Sequence, residues 1–156
     1  MKLSAIAFFL LLLPALGQSI DRYVNARYGY GIDVPKGFTA EPEAANGDGR
    51  KYTAADGRVT LLVYGGNNID GSSTKSLRKQ ALQELPVKPA YQPHGKNWFV
   101  LSWLDGDTIH YRKTFVGSGS ANTFWLSYPK SLSKRFDPVA AKLEGSFRPG
   151  NLKVAH

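Results

Sequence analysis

The chain contains no cysteine. Disulfides, thiolate nucleophiles and cysteine-ligated metal sites are therefore excluded. Histidine is scarce: His94, His110 and His156 are the only three, and no two stand at metal-ligand spacing. No G-x-S-x-G turn marks a serine nucleophile, and no glycine-rich phosphate loop is present. Internal repeats, low-complexity tracts and blocks of like charge are also missing. The one long apolar run, Ala5 to Leu13, is too short to span a bilayer, which needs roughly 20 apolar residues.

That run sits in a recognisable context. Lys2 precedes it, Pro14 breaks it, and Ala15 and Gly17 supply the small residues of a signal-peptidase site, with cleavage expected before Gln18. Residues 1–17 read as a cleaved signal peptide and residues 18–148 as one domain. Residues 149–156 read as a flexible C-terminal tail. Cleavage leaves about 139 residues, near the usual size of a single domain and enough for a hydrophobic core. An exported domain without disulfides must fold on packing alone. That favours the bacterial periplasm or a secreted bacterial protein over a stapled eukaryotic one. The full chain carries a formal charge of +8, and losing Lys2 with the leader brings it to +7. Outside the cytoplasm such a basic protein is expected to meet an envelope protein or an anionic envelope component, and no nucleic acid. No cofactor is expected, and no transmembrane segment after cleavage.

Periodicity outlines the elements. Tyr28 to Val34 alternates and stops at Pro35-Lys36-Gly37, as a strand and turn do. Arg50–Ala54 and Val59–Tyr64 flank the hairpin signal Asp56-Gly57. Ser73 to Leu85 changes to helical spacing, with Leu77, Ala81, Leu82 and Leu85 on one side and Pro86 at its end. Val87–Tyr91 is a weak strand compromised by Pro89. Trp98–Leu104, Thr108–Val116 and Asn122–Tyr128 are strong strands, the last two joined by Gly117-Ser118-Gly119. Phe136 to Phe147 reads as a second helix, capped by Asp137 with Pro138 in its first turn. Strands in runs, joined by short turns and separated by two helices, predict an α+β fold. It is an antiparallel sheet of about six to seven strands with two α-helices packed on it. Because WFVLSWL and VTLLVY are apolar on both faces, the sheet should be covered on both sides.

The opening RYGYGIDVPKGF, the strand KNWFVLSW and the later HYRKTFV and FWLSYP, in this order of elements, resemble exported members of the PsbP-like superfamily. The resemblance is one of layout and spans nearly the whole mature chain. It implies a layered sandwich and a small accessory or binding domain that works against a larger partner. It carries no catalytic motif and no site residue onto this sequence.

The candidate residues follow from chemistry. Asp105-Gly106-Asp107 is turn chemistry. A two-residue Asp105-Gly106 turn would set Leu104 opposite Asp107. A three-residue turn sorts polarity better, grouping Phe99, Leu101, Trp103, Ile109 and Tyr111 against Val100, Ser102, Thr108, His110 and Arg112, and is the favoured register. Asn46-Gly47-Asp48-Gly49-Arg50 begins like a calcium loop, but a glycine stands where the bidentate glutamate belongs and a basic residue where a ligand belongs. Lys75 and Arg78 on the first helix, with Lys130, Lys134 and Arg135 before the second, form the candidate surface for a protein partner. Trp103, His110, Arg112 and Trp125 form a candidate ligand cleft. The expected function is an exported, non-catalytic binding or accessory module of the envelope. The alternatives are a hydrolase using His110 with a serine brought beside it by folding, or a small-ligand binder using the aromatic cleft.

Overall fold

A computed structural model of the chain describes residues 21–156, and the leader expected at 1–17 lies outside the described residues. Among the described residues there are eight strands and two α-helices. In chain order they are β1 (Asp21–Val24), β2 (Gly31–Val34), β3 (Phe38–Ala40), β4 (Gly49–Ala54), β5 (Thr60–Asn67), α1 (Thr74–Gln83), β6 (Trp98–Asp105), β7 (Thr108–Val116), β8 (Ser120–Pro129) and α2 (Ser133–Ser146). β1 and β2 form a separate antiparallel ribbon, and the rest form one antiparallel six-stranded sheet in the order β3-β4-β5-β8-β7-β6. The fold is α+β, as the pattern of elements predicts. No helix among the described residues is long and apolar enough to cross a membrane.

α1 starts where expected. Ser73 is extended, and its hydroxyl accepts from the Ser76 amide at 3.2 Å, satisfying one of the helix's open donors. α2 starts earlier than the sequence suggests. A 3₁₀ turn, Lys130–Leu132, runs directly into Ser133, so Pro138 falls inside the helix rather than in its first turn. Asp137 is not a cap. Its carboxylate accepts from the Tyr128 hydroxyl at 2.7 Å, tying α2 to β8.

The two sheet faces are covered unequally. One face carries Leu61 and Val63 of β5 and Phe124, Leu126 and Tyr128 of β8. It packs against Phe136, Ala140 and Leu143 of α2 and against Tyr30 and Ile32 from the β1–β2 ribbon. The opposite face is covered by α1 only near the β6 edge, where Leu77, Ala81, Leu82 and Leu85 meet Phe99, Leu101 and Trp103. Leu62 of β5, on that same face, remains 37% exposed. Complete cover on both sides, expected from the two-faced hydrophobicity, is therefore realised on one face and half realised on the other. α1 is only ten residues long, about 15 Å, too short to cross six strands spaced about 4.8 Å apart.

The outer edges are guarded. The segment after α1 makes no continuous strand, because Pro86, Pro89 and Pro93 interrupt its donors. It still shields β6, the Ala90 amide donating to the Ser102 carbonyl and the Ser102 amide to that of Tyr91. Gly65 is required by a close approach: a Cβ there would run into the Tyr28 ring. The residues after Arg148 were expected to be loose, yet they pack. The Gly119 and Ser120 amides donate to the Leu152 carbonyl at 2.9 and 3.1 Å, and Arg27 and Asn67 donate to the main-chain oxygen of His156. Backbone groups left open at the β7–β8 turn thus find partners in the terminal segment.

Candidate functional site

The β6–β7 hairpin decides where the candidate cleft residues go. Asp105 pairs with Thr108, so the turn is Gly106-Asp107, a register that neither reading of the turn anticipated. Gly106 alone takes a positive φ, +55°, which matches a turn with glycine at its first loop position. The register sets Trp103 opposite His110 and Leu101 opposite Arg112. His110 and Arg112 therefore share the α1 face with Phe99, Leu101 and Trp103. Ile109 and Tyr111 go to the α2 face. The polarity-sorted grouping is thus corrected, and it fails because cation–aromatic stacking makes a mixed face stable.

β8 completes the group, with Trp125 beside Arg112 and Ser127 beside His110. All four candidate cleft residues come together, as a packed cluster. The His110 ring stacks on Trp103 with centroids 4.8 Å apart and lies edge-on to Trp125 at 5.7 Å. The Arg112 guanidinium sits 5.8 Å from the Trp103 ring and 5.6 Å from the Trp125 ring. Arg112 is 8% exposed, and its Nε and Nη2 have no hydrogen-bond partner among the described residues. The two indole faces take the place of a carboxylate as the countercharge. Trp103 is buried too, while His110 and Trp125 are half-buried.

His110 is held neutral at pH 7. Burial pushes its pKa below the usual 6.5, against a weaker upward pull from the charge of Asp105. Trp125 Nε1 donates to His110 Nδ1 at 3.2 Å, and an indole nitrogen can only donate. Nδ1 is therefore the acceptor, and the ring proton belongs on Nε2. The Ser127 hydroxyl, 2.8 Å away, donates to the same Nδ1. Ser127 is the one partner of His110 that sequence reasoning left unnamed. It was legible only through the β7–β8 register.

The basic candidates do not form one surface. Lys75 and Arg78 line a cavity of about 920 Å³ at the N-terminus of α1, together with His94, Lys96 and Ser118. Arg78 is braced there, its guanidinium donating to the Gln92 side-chain oxygen at 2.7 Å and to the Gln92 carbonyl at 3.2 Å. Lys96 is positioned through its carbonyl, which accepts from the Thr74 hydroxyl at 3.0 Å. No Asp or Glu lines this cavity. Lys130, Lys134 and Arg135 follow the far end of β8. Ser118 precedes β8, whose ten residues separate the two groups by about 30 Å. Lys96 and His94 were missed by sequence reasoning because some 20 residues and a chain reversal separate them from Lys75. The calcium-like loop carries no open carboxylate: Asp48 is held by Arg27 at 2.9 Å and by Asn46 at 2.6 Å.

No family model matches the sequence, and no curated protein matches it. Solved structures do. The solution structure of cyanobacterial PsbP (CyanoP) from Synechocystis sp. PCC 6803 aligns with a TM-score of 0.64 at 14% identity, covering 90% of this chain and 98% of that one. This chain has the PsbP-like fold. A crystal structure from Bacteroides thetaiotaomicron VPI-5482 aligns more distantly, with a TM-score of 0.47 at 11% identity, over 77% of this chain and 44% of that one. At 14% identity the match to the PsbP-like fold describes the path of the chain. It does not extend to the cavity at α1 or to the Trp103–Arg112–Trp125 stack, which rest on this chain's own residues.

Proposed function

We propose that this protein is an exported, non-catalytic binding module of the bacterial envelope, and that it holds an acidic segment of a larger protein in the cavity at the N-terminus of α1. The observation that carries the reading is the cavity's charge: Lys75, Arg78 and Lys96 converge on it with no acidic residue in its lining. The open amides and positive end of α1 add to the same field. The leader expected at residues 1–17 supports a place outside the cytoplasm, and the PsbP-like fold is compatible with an accessory role.

The test is crosslinking capture with the tagged full chain expressed in its own cells, at low and high salt, beside a Lys75→Glu/Lys96→Glu variant. One dominant partner is expected at low salt, reduced about tenfold or more by the two reversals and by high salt, because exposed charge pairs are screened. Capture that is indifferent to salt and to both reversals sinks the assignment of this cavity.

A second reading, hydrolysis by Ser127 with His110 as base, draws on their 2.8 Å contact. The Trp125 N–H competes for the same nitrogen, and no carboxylate among the described residues accepts from Nε2 to orient the ring. A fluorophosphonate probe is expected to leave Ser127 unlabelled. Labelling at Ser127 that disappears in His110→Gln would overturn the non-catalytic reading.

A further inference from the structure

A second concavity, of about 580 Å³, opens between the chain corner after β2 and the C-terminal half of α2. Its floor is apolar: Val34 and Leu143 are buried, with Val139 and Pro35 partly buried beside them. Its rim is cationic. Lys36 comes from the turn after β2, Lys142 from α2, and Arg148 from just past the helix. One carboxylate is present, that of Asp33, and it is already held by Arg22 at 2.7 Å. None of Lys36, Lys142 and Arg148 makes an ion pair among the described residues. Three positive charges from separate stretches of chain thus surround one apolar hollow, none of them with an acidic partner of its own among the described residues.

Cations near a helix C-terminus offset its dipole, and that accounts for Lys142 and Arg148 in part. It does not account for Lys36, which lies off the helix, or for the apolar floor between the charges. Binding sites for small molecules combine such a floor with a few convergent charged groups, within roughly 300–1,000 Å³.

We propose that this concavity binds a small amphiphilic anion: a carboxylate or phosphate monoester head held by Lys36, Lys142 and Arg148, with a short apolar body lying on Val34, Val139 and Leu143. The site is separate from the cavity at α1 and does not depend on the function assigned to it. Two features make the fit specific. The rim supplies charge-assisted donors to the head, and Arg22 offsets the charge of Asp33, the one carboxylate in the lining. The floor supplies burial for the body, which a bare inorganic anion cannot use.

The experiment is a methyl-resolved NMR titration of the protein, purified after expression from the full-length gene, with decanoate, decyl phosphate, decanol and inorganic phosphate. Decanoate or decyl phosphate is expected to shift the methyls of Val34, Val139 and Leu143, and the tighter of the two identifies the head. Decanol and inorganic phosphate are each expected to bind at least about tenfold more weakly, since each lacks one half of the match. Lys142→Glu, an exposed helix position, is expected to weaken the better amphiphile by about tenfold or more, while Lys134→Glu at the other end of α2 leaves it unchanged. The proposal is overturned by three results: no shift at millimolar amphiphile, shifts centred instead on Leu104 and Ile109, or inorganic phosphate binding as tightly as decyl phosphate.

Discussion

Phe147→Ala is expected to lower the stability of the protein by about 3–5 kcal/mol, the cost of removing a fully buried phenyl ring and leaving its cavity. Phe147 is 0% exposed and sits where three elements meet. Its ring stands edge-on to Phe124 of β8 at 5.3 Å, lies 5.5 Å from Phe115 of β7, and meets Tyr30 of the β1–β2 ribbon edge-on at 6.2 Å. Its backbone leaves the helical region and closes α2, the amide donating to the Leu143 carbonyl at 2.9 Å. Truncation therefore loosens the end of α2, the ribbon and the central strands together. A domain of ordinary stability has roughly 5–15 kcal/mol in hand, so the loss is a large share of it. Thermal melts should show a fall of about 10 °C or more. Ile69→Ala, at a position 84% exposed, serves as the control and should leave the midpoint nearly unchanged. A melt for Phe147→Ala that matches the parent would mean the α2 layer is not packed as described.

The second large effect is expected at Glu144. Lys113, on β7, is among the buried charged residues, and its ammonium reaches the Glu144 carboxylate of α2 at 2.8 Å. The Tyr111 hydroxyl donates to the other carboxylate oxygen. The aromatic faces of Trp98 and Phe115 complete the ammonium's surroundings. Glu144→Leu leaves a buried ammonium and a tyrosine hydroxyl without their acceptor, a change expected to cost about 3 kcal/mol or more. Adding Lys113→Met should recover most of that loss, because replacing both partners of a buried pair with apolar groups is far less harmful than removing one. Denaturant titrations of the two singles and the double measure the coupling directly. A double variant that is merely the sum of the singles would show that the pair does not act as a unit.

The same carboxylate predicts an acid limb of stability. Burial pushes the Glu144 pKa up, but the Lys113 ammonium and the Tyr111 hydroxyl together outweigh it and hold the group below the usual 4.5. A depressed carboxylate pKa means that the unfolded chain binds the proton first. The stabilisation is therefore complete above pH 4.5 and is lost as pH falls through the folded value. In Glu144→Leu/Lys113→Met that part of the acid sensitivity should disappear.

Local chemistry alone determined a good deal of this protein. The Ser73 cap and the Leu77–Leu85 spacing place α1, because capping and a 3.6-residue period act over a single turn. The alternating apolar strands and glycine turns placed the sheet, and the order of elements led to the PsbP-like fold, since two-residue periods and short turns leave few antiparallel layouts. The absence of cysteine removed whole classes of chemistry at once.

Tertiary structure alone decided the rest. The β6–β7 register turned on which residue takes a positive φ at the hairpin tip. One residue of slip exchanges every side chain between faces, so polarity sorting chose wrongly for His110 and Arg112. Asp137 had the right identity for a helix cap, yet the 3₁₀ turn that feeds α2 from the end of β8 moved the helix start three residues earlier, from Phe136 to Ser133, and left Asp137 to bond Tyr128. The basic residues divided into separate clusters for a related reason. Lys75 and Lys96 converge across a chain reversal, as do Lys36, Lys142 and Arg148, while Lys130 and Lys75 lie at opposite ends of β8. Propensity and capping are short-range and can be read along the chain. Convergence of charges depends on which strand ends the sheet brings together, and that is settled only when the long-range pairings form.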